Sequence, residues 1–428
     1  MQEETTQVLQ RLVRFNTVNP PGNEREAQEY LADHLQRAGL DVELLGRTEP
    51  RPNLVARLRG TGDGPTLCLL SHVDTVLATP SEWDHDPWSG DIVDGELWGR
   101  GALDMKSQTA AEVVVAATLA RSGWRGEGDL LVVVVADEET GGAEGAQWIC
   151  GEHPDKVRCD YLLNEGAGSL VPFNGRRVFD VCVAEKGVFR FKLRTRGVAG
   201  HASMPKIGDN ALLKLAPLLQ AMKDRQPAFD ITSGPQAMLD GLGVTFEELR
   251  DQDPLLALIV EPMLGVTLAP TRVQASEKIN VIPSVAEIGV DCRVPPGLGE
   301  EDALKRIHEV LGPPAPDGDY EIEFSETVMG NQSPIESPLM DVIRRWVASV
   351  EPDARVVPAI LQGFSDSRTF RHAFPELVAY GFFPRRAMTL YEAAPLIHSA
   401  NERIPVADLG TAADFFTYAA REICGTAG

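Results

Sequence analysis

The apolar positions of this 428-residue chain follow two different rhythms. In the first part they come in dense blocks. Residues 130–136 (LLVVVVA) are apolar without a break, and 53–59 (NLVARLR) and 66–70 (TLCLL) also predict strands. A continuous β-branched run of this length predicts a strand buried on both faces, as in the middle of a mainly parallel sheet. Helical spacing lies around these blocks. Residues 3–40 predict a helix, a turn at Asn19-Pro20-Pro21-Gly22-Asn23, and a second helix that carries Leu31, Leu35 and Leu40 on one side and closes near Gly39. The Ala- and Val-rich stretch 107–121 predicts a further helix. Strands alternating with helices give an α/β fold class.

The rhythm changes near residue 185. Residues 188–196 (VFRFKLRTR) alternate apolar and charged, which predicts one half-exposed antiparallel strand. Residues 278–293 predict a pair of short strands around Ile282-Pro283. Helical stretches lie between these runs and at 300–311, and a strand follows at 320–324. This is an α+β module inserted between two α/β segments, with boundaries expected at 1–184, 185–328 and 329–428. After about residue 330 the first texture returns and ends in an amphipathic helix at 406–422.

Composition narrows the partners. Hydrophobic residues make up 43% and charged residues 24% of the chain, which supports a large core. At roughly 150 residues per domain the length suggests two or three domains. Lys and Arg total 40 against 63 Asp and Glu, a net charge of −23. That balance argues against a nucleic-acid partner, which needs clustered Lys and Arg, and against docking on an anionic membrane. No apolar run approaches the ~20 residues that span a bilayer. The start, MQEETTQ, lacks the basic stretch and apolar run of a signal peptide, so a cytoplasmic location is expected. Six scattered cysteines with no CxxC pair predict buried free thiols.

Five short segments hold residues that could do chemistry, each ordinary by itself. His72 and Asp74, just after the 66–70 strand, point to the same side of an extended chain. That suits an imidazole on a metal steadied by a carboxylate, and equally a hydrogen-bonded structural histidine. Asp104 follows two glycines at a helix start, where a cap or turn is the alternative. Asp137, Glu138 and Glu139 follow the 130–136 run; three adjacent carboxylates repel one another unless a cation or open solvent relieves them. Glu165 ends a further strand, and His398 precedes the last helix. Together these put His, Asp, Glu-Glu and Glu at successive strand ends, where ligands bind in open α/β sheets. Hard carboxylates with one histidine per ion suit Zn²⁺, and less selectively Co²⁺ or Mn²⁺.

Taken in order, the stretches LVRFNTVNPPGNE, SHVDTV, EWDHDPWSGDIVDGELWGRGALDMK, DEETGG, NEG, GVAGHASMP, NVIPSVAEIGVDCRVPPG, FSDSRTF and IHSANERIP resemble the di-zinc metallopeptidase family of aminoacylases, carboxypeptidases, dipeptidases, desuccinylases and deacetylases. The resemblance covers nearly the whole chain. It implies an aminopeptidase-like catalytic domain with an inserted lid and dimerisation domain, two Zn²⁺ per subunit, and a possible homodimer through the lid. It further implies that His72 and Glu165 bind one zinc, that Glu139 and His398 bind the other, and that Asp104 bridges both. Asp74 would orient His72, and Glu138 would be the general acid/base. His201 matches the lid histidine that stabilises the developing oxyanion. Asn280 and Arg293 match lid positions that contact substrate, and Arg368 is a further candidate, since an arginine fork can grip a carboxylate. The implied reaction is hydrolysis of a peptide or N-acyl bond beside a free carboxylate in a small molecule. The alternative is a biosynthetic deacylase such as succinyl-diaminopimelate desuccinylase or acetylornithine deacetylase. Residues 206–278 are longer than a compact lid and resemble the dipeptidase and N-acyl-amino-acid hydrolase branch.

Overall fold

In the computed structural model, which describes residues 1–315 and 318–425, the chain separates into two units. The first comprises Met1–Val183, Ser333–Ala359 and Ser365–Gly428; the second comprises Ala184–Gln332 and Ile360–Phe364.

The first unit is built on a mixed sheet with strand order Asp41–Leu45, Asn53–Leu58, Leu130–Val135, Leu67–His72, Tyr161–Asn164, Val378–Gly381 and Arg176–Glu185. Its middle is parallel and its margins antiparallel, so the fold is α/β with a mainly parallel centre as expected. The unbroken run at 130–135 is apolar because both faces are covered. One face meets the almost wholly buried helix Lys106–Arg121, against which Gln2–Val13, Arg25–Ala38 and Val406–Ile423 pack. The other packs Cys68, Leu70, Leu131, Val133 and Val135 against Ala146, Ile149, Phe370 and Phe374. Each such Val or Leu contributes about 1.5–3 kcal/mol by leaving water, more than the roughly 1–2 kcal/mol that ordering its backbone costs. The helix Arg25–Ala38 ends where Gly39 turns left-handed, at φ 92°.

Register is what matters for the site. His72 pairs with Val135, and Leu69 pairs with Leu163, so three adjacent parallel strands finish at one edge. The residues that follow them, Asp74, Glu138, Glu139 and Glu165, therefore emerge together.

The second unit is an antiparallel sheet of Thr267–Gln274, Val285–Val294, Gly187–Val188, Phe191–Arg196 and Glu321–Phe324. Alternation works as expected. Phe191, Leu193, Ile288, Val290 and Cys292 form a core with Leu215 of the helix Ala211–Asp224 and with Ile307 and Val310 of Glu300–Leu311. The opposite face carries cross-strand ion pairs such as Arg194–Glu287 at 2.8 Å and Arg196–Glu321 at 2.7 Å. Two expectations are corrected. The 188–196 strand is interrupted, because the Arg190 carbonyl accepts from the amides of Ser325 (2.8 Å) and Glu326 (3.2 Å) instead of continuing the ladder. The pair of strands expected around Ile282-Pro283 is present as Val281–Ile282 and Val285–Val294, separated at Pro283, which has no N–H, but the second is long, not short. All six cysteines are buried and free. Among the described residues no helix is long and apolar enough to cross a membrane.

Candidate metal centre

The geometry begins with Asp74, a fully buried carboxylate just past the end of its strand. Its Oδ1 accepts from the amide of Glu138 (3.2 Å), and its Oδ2 accepts from the amide of Glu139 (3.1 Å) and from Asn19 Nδ2 (2.9 Å). The two amides can reach it because Asp137 adopts the left-handed conformation, φ 70°, which apart from glycine a short polar side chain tolerates most readily. Asp137 is held there by Thr140 Oγ1 (2.5 Å), Asn19 Nδ2 (3.0 Å), Arg51 Nη1 (2.9 Å) and the Glu144 amide (2.9 Å). The tight turn that follows sends the two adjacent glutamates to different partners. Glu138 Oε2 lies 3.9 Å from His72 Nε2, and Glu139 Oε2 lies 3.2 Å from His398 Nε2.

Asp104 sits between the two imidazoles, with Oδ1 3.3 Å from His72 Nε2 and Oδ2 3.1 Å from His398 Nε2. Glu165 Oε1 is 3.8 Å from His72 Nε2. The residues fall into two groups able to hold an ion, His72 with Glu138 and Glu165, and Asp104 with Glu139 and His398. Two observations fit a divalent cation. His72 Nε2 is sealed from solvent and makes no well-directed hydrogen bond, with only carboxylate oxygens 3.3–3.9 Å away, while its Nδ1 meets the Asp74 carbonyl at 3.1 Å. Ligands about 2.0–2.2 Å from a tetrahedral ion lie roughly 3.4 Å apart, close to the spacings around Asp104.

The electrostatics ask for positive charge. Burial pushes the Glu138 carboxyl well up, and the neighbouring Glu165 adds to it; burial and then Asp104 do the same to Glu165. Burial opposes a charge on His72, yet Asp104 and Asp74 outweigh it and raise its imidazole well above the ordinary value. Asp104 would also be raised by burial, but His398 and His72 hold it below the usual carboxylate range. Asp104 and Glu139 push His398 up to about 10. His398 is half exposed and left-handed at φ 59°, at the open side of the cluster.

Several supporting residues escaped the sequence reading. Glu402 is fully buried. Its Oε1 accepts from the amides of Leu103 (2.6 Å) and Asp104 (3.0 Å), and its Oε2 accepts from the Gly101 amide (3.1 Å) and Arg100 Nη1 (2.6 Å). One side chain thus organises the loop that presents Asp104. Its only sequence signal was proximity to His398. Asn19 and Arg51, which pairs with buried Glu24 at 2.7 Å, were equally silent. Of the other candidates, His201 and Asn280 are neighbours in the second unit: Gly200–His201 pairs with Val281–Ile282, and the Ala202 amide donates to the Asn280 carbonyl at 3.0 Å. Both side chains are exposed, and His201 Nδ1 meets Ser203 Oγ at 2.7 Å. Arg293, also in the second unit, is ion-paired with Asp291 at 2.6 Å. Arg368 lies half-buried in the helix Asp366–Ala373 of the first unit.

Comparison with known proteins follows the same lines. A family model described as Peptidase family M20/M25/M40 matches residues 68–422. The succinyl-diaminopimelate desuccinylase of Bordetella avium is 26% identical over 398 residues, 92% of this chain and 91% of that protein. The M20 family metallo-carboxypeptidase Sso-CP2 from Sulfolobus solfataricus superposes with a TM-score of 0.73 over 98% of this chain and 99% of its own, at 18% identity. Human carnosine dipeptidase 1 gives a TM-score of 0.69 over 99% and 96%, at 17% identity. At such identities the structural likeness establishes the fold.

Two outcomes are expected. In metal-free protein the raised His398 stabilises the fold in its protonated form. That contribution is complete below the ordinary value of 6.5 and is lost as pH rises through about 10. Urea unfolding in the presence of a chelator should show the wild-type advantage over His398→Gln shrinking across this window; a constant difference contradicts it. Separately, Glu402→Gln should weaken metal binding about 10–100-fold by loosening the Asp104 loop, measured by competition with a chelating dye. Unchanged affinity would show that the loop holds its shape without the carboxylate.

Proposed function

The chain belongs to peptidase family M20/M25/M40, and on that premise we propose that it hydrolyses the amide bond beside a free carboxylate in a dipeptide or N-acyl amino acid, with two Zn²⁺ ions. The observation that carries this reading is Asp104, one carboxylate whose two oxygens face the Nε2 atoms of His72 and His398. His72 and Glu165 would hold one ion, Glu139 and His398 the other, and Asp104, which faces both imidazoles, would serve both. One imidazole and several carboxylates per ion suit zinc, with Co²⁺ or Mn²⁺ less selective substitutes. Bound there, the ions supply a water of lowered pKa and polarise the scissile carbonyl.

The chain's own residues do the rest. Asp74 holds His72 Nδ1 and so keeps Nε2 turned toward the ligand group. Glu138, whose proton affinity burial raises, accepts the proton of the attacking water and delivers it to the leaving nitrogen. Its assignment to the proton, and that of His201 to the oxyanion, rest on the family resemblance, as do the substrate contacts of Asn280, Arg293 and Arg368. The same reading makes the protein a cytoplasmic homodimer joined through its second unit. Thr267–Gln274 supports this: it pairs with one neighbour among the described residues, and its last six residues are exposed.

A second reading is favoured by the likeness to the Bordetella avium protein: removal of a succinyl or acetyl group from a biosynthetic amino acid. Assaying dipeptides, N-acyl amino acids and N-succinyl-diaminopimelate side by side separates the two. Chelation should abolish turnover, and Zn²⁺, Co²⁺ or Mn²⁺ should restore it; full activity in the metal-free protein would end both readings. Glu138→Ala should keep its metal yet lose kcat by about 10²–10⁴-fold or more, with metal content and kcat measured on one sample. Near-normal turnover would remove Glu138 from the mechanism.

A further inference from the structure

We propose that Arg385 is the cation that receives the substrate's free carboxylate within the catalytic unit. This rests on the amide-hydrolase reading and names the residue that recognises the carboxylate. Arg385 lies four residues beyond the end of the Val378–Gly381 strand, on a segment that runs beside the loop carrying Glu165. The amides of Phe382, Phe383 and Arg385 donate to the carbonyls of Asn164, Ala167 and Gly168, each at 2.9 Å. The approach is close enough to require glycine: Gly168 has φ +96°, and a Cβ there would stand 2.4 Å from the Phe383 carbonyl. The main chain thus sets Arg385 against the loop of one proposed ligand, on the connection that leads to another, His398.

What this side chain lacks is a counter-ion. Arg385 is only 8% exposed. Nη2 donates to the neutral hydroxyl of Ser169 at 2.5 Å, and Nε is buried with no partner. Among the described residues no carboxylate forms an ion pair with it. The carboxylates whose charge it feels most are Asp180 and Asp408, followed by Asp104. Asp180 Oδ1 accepts from the amides of Gly168 and Ser169, both oxygens of Asp408 accept from those of Arg386, Ala387 and Met388, and neither carboxylate comes within ion-pair distance of Arg385. The adjacent Arg386 shows the contrast, since it pairs with Glu351 at 2.7 Å. Arg293 likewise has a counter-ion, Asp291 at 2.6 Å, although its Nη1 is buried without a partner. A buried guanidinium without an anion is costly, and burial is the main influence working against its charge. An incoming carboxylate would relieve that cost and match the planar fork. Asp104 does not fill this role, because its two oxygens face the imidazoles.

The test compares wild type, Arg385→Gln and Arg385→Lys, all metal-loaded, on an N-acyl amino acid and its carboxamide. It also measures by calorimetry the binding of an N-alkyl amino acid and its carboxamide, both of which lack the N-acyl bond. Arg385→Gln should lower kcat/KM for the acid by roughly 30-fold or more while leaving the carboxamide unchanged. It should erase the preference for acid over carboxamide in binding, with the Lys variant between. Its thermal midpoint should be unchanged or higher, because an unpaired buried charge has been removed. Equal losses on acid and carboxamide, or a fall in midpoint with no change in preference, would make Arg385 structural and overturn the proposal. If Arg385→Gln does not fold, Arg385→Lys carries the comparison. If wild type hydrolyses nothing on the panel, the amide-hydrolase reading fails, while the calorimetry still decides whether Arg385 recognises a carboxylate.

Discussion

Like charges held close together are the constraint from which the rest of this molecule follows. Asp104, Glu138, Glu139 and Glu165 crowd around two imidazoles at one edge of a sheet whose interior is almost entirely apolar. Left to themselves, carboxylates in such a place take up protons or move apart. The strands behind them fix their spacing, and the carboxylates in turn raise the proton affinity of both imidazoles. A pair of divalent cations would satisfy the same demand more completely, and would leave one carboxylate over to handle a proton.

Holding the cluster in place falls largely to carboxylates that take no part in it. Asp74 gathers the amides of Glu138 and Glu139, Asp137 is tied to Asn19 and Arg51, and Glu402 gathers the amides around Asp104. Each is buried, and each has its oxygens committed to backbone N–H groups or to a cation. Such groups are tolerable inside a protein only when their hydrogen bonds are complete, and once complete they define a single loop conformation. Arg385 is the counter-example in the same unit, a buried charge whose bonds are incomplete.

Much of the fold could be read from the chain in advance. Period-two alternation and continuous apolar runs marked the strands of the two units because burial on one face or on both leaves a direct trace in residue type. The place where that reading slipped most, at Arg190, is a backbone event with no side-chain period, a carbonyl turned aside. Asn19, Arg51, Glu402 and Arg385 were invisible for a related reason, since each acts through partners 27 to more than 200 residues away.

The chain by itself determined which residue types stand at the strand ends, and with them the kind of ion the site suits. Sequence order and local period are sufficient for that, because a ligand's identity is a property of its own side chain. Only the tertiary structure decided that Asp104 lies between two imidazoles, that neighbouring glutamates part company, and that the buried Arg385 has no carboxylate within ion-pair distance among the described residues. Those are statements about distance and desolvation, which arise when strands far apart in sequence come into register and exclude water.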